Sequence, residues 1–267
     1  MLNLTTILPV LAFALGPAPS PARFDHSAFD TLLRRHVVAG MVDYDAFASS
    51  REFDVYLEKL KAFDPAVLSR DEQLAFWINT YNAYTVRLIT KHGERTSIRN
   101  INKAFGVFKG SGPWAERLVV VSGKTYDLET VEQQIIRPTF KEPRIHFALV
   151  CAAMGCPPLR SEAYTGADLE RQLEDQTRTF LRASPTKNRV DVATRTVWVS
   201  EIFQFNDYEK DFGGSKPALM RFIARSYTAG PERALLEAGD ATLRYTDYDW
   251  TLNSQEQARK LTGSPKY

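Results

Sequence analysis

Between Ser27 and Val38 the apolar residues fall at Phe29, Leu32, Leu33 and Val37, the three- and four-residue spacing of one helix face. Gly40 ends that pattern, and Val42-Asp43-Tyr44 reads as a short extended piece. Two further helices are predicted, Asp45 to Phe63 and Ser69 to His92. The second opens on Ser69-x-x-Glu72, a capping-box spacing, and closes on Gly93. Its Leu74, Trp77, Ile78, Tyr81, Thr85, Leu88 and Ile89 form a wide apolar stripe. Ile98 to Phe108 has no clean period, and Lys109 to Trp114 reads as a turn or loop. Arg117–Val121 and Thr125–Leu128 flank Ser122-Gly123-Lys124 as a hairpin, and Val190–Val192 with Val197–Val199 predict a second. Glu129 to Arg137 reads as a helix stopped before Pro138. Arg144 to Ala152, nearly continuously apolar, predicts a strand buried on both faces. Thr165–Ala183, Asn206–Phe212 and Lys216–Arg225 read as helices, and Ala241–Tyr248 as the last strand.

Helices first, then strands mixed with helices, predict one α+β domain over residues 24–253, with N-terminal helices leading into a mixed sheet and its packed helices. Residues 254–267 read as a polar C-terminal tail. At the other end, Leu4 to Leu15 is an apolar run followed by Gly16-Pro17-Ala18-Pro19. A run this short cannot cross ~30 Å of hydrocarbon, which takes about 20 helical residues. It fits a signal peptide over residues 1–18 and a periplasmic or extracellular mature protein with no membrane span.

Composition narrows the functions. Hydrophobic residues at 44% and charged residues at 25% suit an ordinary folded core. A net charge of +2, without any long Lys/Arg run, argues against a nucleic-acid surface. Two cysteines are too few for a disulfide scaffold, and no Cys/His spacing suits zinc, so neither a metal nor a cofactor is implied.

One segment can carry chemistry. Cys151 lies where the predicted strand gives way to a loop, Cys156 lies in that loop, and His146 stands five residues before Cys151. A thiol becomes a nucleophile as its thiolate, which a neighbouring base or positive charge promotes. Three readings stand: inert thiols or a Cys151–Cys156 disulfide, a reactive Cys151, or a reactive Cys156. As an enzyme, Cys151 attacks an acyl carbon, His146 is the base, and Glu132 or an asparagine amide orients that base or donates to the oxyanion. Asn79 and Asn82, inside an otherwise apolar helix, need specific partners. They either line a substrate pocket or tie the helix to its surroundings. The contrasting class is a non-catalytic binding module for a small molecule or peptide, with Trp77, Trp114, Trp198 and Trp250 available for its pocket.

Gly40-Met41-Val42-Asp43-Tyr44, AFWINTYNAYT from Ala75, IHFALVCAAMGCPPLR from Ile145 and YDWTLN from Tyr248 together resemble the bacterial family called domain of unknown function 547, from about His26 to Asn253. The resemblance implies a papain- or transglutaminase-like core and a thiol-hydrolase-like activity centred on Cys151. Members tend to carry Ile-Glu-His where this chain has Val131-Glu132-Gln133. Glutamine takes up no proton at neutral pH, so the resemblance implies a weak or inactive member unless His146 substitutes.

Overall fold

The computed structural model describes residues 22–102 and 112–263. The expected leader over 1–18 and most of the irregular stretch before Gly112 lie outside the described residues. Helix α1 (Ser27–His36) runs into a two-stranded ribbon, β1 (Val37–Val38) and β2 (Met41–Val42). Gly40 turns that ribbon at φ +81°, where an added Cβ would sit 2.4 Å from Pro158 Cβ, so only glycine fits.

The single helix expected over 45–63 is two, α2 (Tyr44–Ala48) and α3 (Arg51–Ala62). Ser50 is extended and its Oγ accepts from Phe53 N at 3.1 Å, so a serine that favours capping starts a new helix. Helix α4 (Arg70–His92) is the central element, buried on nearly every face from Leu74 to Ile89. Ser69 caps it and Gly93, at φ 59°, ends it as expected.

Strands β3 (Val119–Val121) and β4 (Lys124–Tyr126) form the first predicted hairpin. The following helix does not stop before Pro138. It runs from α5 (Leu128–Thr130) through a π-helical stretch, Val131–Ile136, into α6 (Arg137–Phe140). The widened turn begins a new helical register, and proline's missing N–H falls in its first turn, where no partner is required.

The buried strand expected at 144–152 is corrected to a short helix, α7 (Ile145–Ala148), followed by an extended exit from Leu149. A continuous apolar run is what any element buried on all sides needs, and it does not specify the backbone. Helix α8 (Leu169–Arg182) packs on α7. Strands β5 (Arg189–Asp191) and β6 (Thr196–Ser200) form the second hairpin. After the 3-10 turns of Glu201–Phe212, broken at Phe205–Asp207, helices α9 (Lys216–Ala224) and α10 (Pro231–Ala238) lead to β7 (Thr242–Thr246). This last strand pairs parallel to β6, with Val197 opposite Leu243, so the sheet is mixed.

The expected polar tail is helical over α11 (Gln255–Thr262), capped by Ser254 and tied by Gln257 Nε2 to Arg95 O at 2.7 Å. The molecule is α+β, with α4 at the centre of one continuous core. Among the described residues no helix is long and apolar enough to cross a membrane.

Candidate functional site

Two asparagines of α4 fix the chain leaving α7. Asn82 Nδ2 donates to Ala148 O at 2.9 Å, and its Oδ1 accepts from Val150 N at 3.0 Å. Asn79 holds Tyr164 in the same two-sided way, at 2.7 and 2.9 Å. Both amides therefore serve as buried surrogates for backbone pairing. Neither lines the cavity described below, so the structural alternative describes them better than a substrate contact.

From Val150 the chain enters the loop Cys151–Cys156, in which Ala152 is left-handed at φ 57°. The C-terminal segment straps this loop down. Met154 N donates to Thr251 O at 2.7 Å, Gly155 N to Asp249 O at 2.8 Å, and Asn253 N to Ala152 O at 3.2 Å. Gly155 permits the approach, since an added Cβ would lie 2.8 Å from Asp249 N.

The two cysteines are free thiols that share partners. Cys151 N donates to Cys156 Sγ at 2.9 Å, and Cys151 Sγ lies 2.8 Å from the Tyr248 hydroxyl. Cys156 is 2% exposed, whereas Cys151 is only half-buried. Burial works to raise both. At Cys156 hydrogen bonds from Cys151 and Tyr248, with Lys187 nearby, overcome it and bring the thiol below its ordinary range. Cys151 is pushed well up, by burial and then by Cys156 itself. Two sulfurs this close do not both ionise readily, and the pair's first negative charge settles on Cys156.

Beside the thiols lies a buried polar group. Glu132, 7% exposed, accepts from the Tyr81 hydroxyl at 3.2 Å and from the Tyr208 hydroxyl. Burial and then Glu132 push both tyrosines well above their usual range, so they remain donors. His146, 3% exposed, stacks on the Tyr208 ring with centroids 3.8 Å apart. Its Nε2 lies 2.7 Å from Asp211 Oδ2, while its buried Nδ1 has no partner among the described residues. Burial works to raise Asp211, but His146 and Arg137 prevail and hold it down at about 2. Asp211 is therefore an acceptor to which His146 Nε2 donates, and Nδ1 is the ring nitrogen left without a partner among the described residues. Arg137 also donates to Gln133 Oε1.

Cys151, Cys156, His146, Glu132 and Gln133 line one cavity of about 380 Å³, whose other walls include Trp114, Phe205, Tyr208, Tyr248 and Trp250. The four residues selected from sequence as catalytic or thiol candidates thus meet in one place. Trp114 and Trp250 of the four tryptophans join them; Trp77 packs against Phe76 and Tyr126, and Trp198 lies under Arg189. Sequence reasoning missed Asp211, Tyr81, Tyr208 and Tyr248. Tyr81 and Tyr248 stand inside the distinctive AFWINTYNAYT and YDWTLN stretches, which was the available signal; Asp211 and Tyr208 had none. Among the described residues no group of three His, Cys, Asp or Glu side chains is placed to hold a metal ion.

No curated protein and no solved structure matches the chain. Residues 65–181, from the turn before α4 to the end of α8 and so including both cysteines, His146 and Glu132, match the family model described as protein of unknown function, DUF547, and the chain resembles that family.

Proposed function

We propose that the protein is an exported thiol-dependent enzyme of the hydrolase or acyl-transfer class, with Cys151 as its nucleophile. The observation that carries this reading is one cavity joining a half-buried thiol to a histidine whose Nδ1 is free and whose Nε2 is fixed by a carboxylate. The resemblance supports it, and carries with it the papain- or transglutaminase-like core. Export rests on the apolar run Leu4–Leu15 and the small residues after it.

As Cys151 Sγ bonds to the acyl carbon of an ester, thioester or amide, its proton passes to the Cys156 thiolate. Cys156 returns that proton to the leaving oxygen, sulfur or nitrogen, and a thioester remains on Cys151. His146, oriented by Asp211 rather than by the expected Glu132, then takes a proton from the water or amine that releases the acyl group and passes it to the Cys151 sulfur as the acyl–sulfur bond breaks. Glu132 instead anchors Tyr81 and Tyr208, the latter under the imidazole.

A second reading, the non-catalytic binding module, is favoured by one observation: burial and Cys156 hold the Cys151 proton tightly. Exposure to p-nitrophenyl acetate with peptide mass mapping separates the two. The enzyme reading expects an acetyl adduct on Cys151, absent in Cys151→Ser. It also expects one equivalent of iodoacetamide to react with a midpoint below the ~8.5 of an ordinary thiol. No adduct on either cysteine, with labelling only above that midpoint, supports the binding module.

A further inference from the structure

The cavity walls bear on the charge of the substrate. Its described lining includes the acidic side chains of Glu129 and Glu132 but neither lysine nor arginine. Glu129 is exposed at the rim and makes no ion pair among the described residues. The apolar wall is a connected set of rings. Trp250 stacks on Phe205 with centroids 5.8 Å apart, meets Trp114 edge-on at 6.0 Å, and lies 4.6 Å from Tyr248. Aromatic faces carry negative quadrupole charge and attract cations. Two rings of this wall already hold one from outside: Arg99 lies 5.2 Å from the Trp250 centroid, and Arg137 lies 5.1 Å from that of Tyr208.

An independent observation comes from His146. It is 3% exposed, lines the cavity and leaves Nδ1 without a partner. Nε2 donates to Asp211, so Nδ1 is the ring atom left for a bound molecule to partner. The unpartnered Nδ1 marks the cavity as a place for a ligand, and the ring faces and acidic groups favour positive charge on it.

We propose that the acyl substrate carries a cationic nitrogen, an alkylammonium or quaternary ammonium group, bound among Trp114, Phe205 and Trp250 beside Glu129 while its carbonyl reaches Cys151. This rests on the thiol reading above.

Methanethiosulfonate reagents test it on the mature full chain. The thiolate displaces methanesulfinate, and a mixed disulfide forms on sulfur. Rates of Cys151 modification by the trimethylammonium-ethyl, methyl and sulfonatoethyl reagents are each divided by that reagent's rate with β-mercaptoethanol. The expected order is cationic, neutral, anionic, with about tenfold between the extremes, the ratio that a single favourable cation–ring contact supplies. Glu129→Gln, on the exposed rim, and Trp250→Leu should each reduce that ratio several-fold. Modification at equal normalised rates overturns the cationic substrate and leaves the thiol reading standing. A preference that survives in both variants overturns its assignment to this wall. No modification by any reagent overturns the thiol reading and this proposal together.

Discussion

The backbone N–H of Cys151 donates to the sulfur of Cys156 over 2.9 Å, so the residue presenting the accessible thiol also steadies the negative charge on its buried neighbour. Cys156 is the place where the pair ionises first. Cys156→Ala should therefore raise the iodoacetamide midpoint of Cys151, because the first proton must then leave the buried Cys151 itself. Cys151→Ala should abolish fast labelling, since Cys156 is 2% exposed. Mass-mapped alkylation between pH 5 and 9 reads both outcomes. An unchanged midpoint in Cys156→Ala would show that the sulfurs titrate independently.

Asn82→Ala should destabilise the fold by about 2–4 kcal/mol, because it leaves the Ala148 carbonyl and the Val150 N–H buried without partners. Urea denaturation followed by tryptophan fluorescence measures this. A loss within about 0.5 kcal/mol of zero would mean that the exit from α7 does not depend on the amide.

Gly155→Ala should cost about 1–3 kcal/mol through overpacking. Its Cβ meets backbone atoms of Asp249, which cannot rotate aside as a side-chain tip would. Because the strap also carries Tyr248, the same variant should slow Cys151 modification. Normal stability and normal thiol kinetics together would contradict the close approach.

His26 predicts a pH dependence far from the cavity. Burial lowers it to about 3, against about 6.5 in an unfolded chain. The unfolded state thus binds the proton first as pH falls. The stability contributed by neutral His26 is complete above pH 6.5 and is lost progressively toward pH 3, by about 1.4 kcal/mol per unit. Urea midpoints between pH 7 and 5 lie above the range in which carboxylates titrate, and the difference between the wild-type and His26→Gln profiles isolates the His26 contribution from that of the other histidines. His26→Gln should flatten the slope, whereas an unaltered slope would assign the proton elsewhere.

Much of the fold was legible in the sequence. Both hairpins, α4 with its two caps and the closing strand follow from spacing and turn residues alone. The failures share a cause. Residues 145–151 are apolar because every direction around them is filled, so their pattern reports burial and not backbone type. Pro138 marks a boundary only if the preceding turns are regular, and the π-helical stretch before it removes that condition. At the site, cysteine and histidine identities pointed to the cavity because few other residue types do such chemistry. Asp211 could not be paired with His146 across 65 positions, because the left-handed residues Asn206 and Asp207 that redirect the intervening chain leave no periodic trace.

The strap at Tyr248–Asn253 has a consequence for biosynthesis. Cys151 and the tyrosine that touches its sulfur are 97 positions apart. A ribosome making this protein produces the thiol long before the residues that seat it. Chains that have emerged only as far as the sulfur lack the strap, so the thiol is seated only after Tyr248–Asn253 has been made.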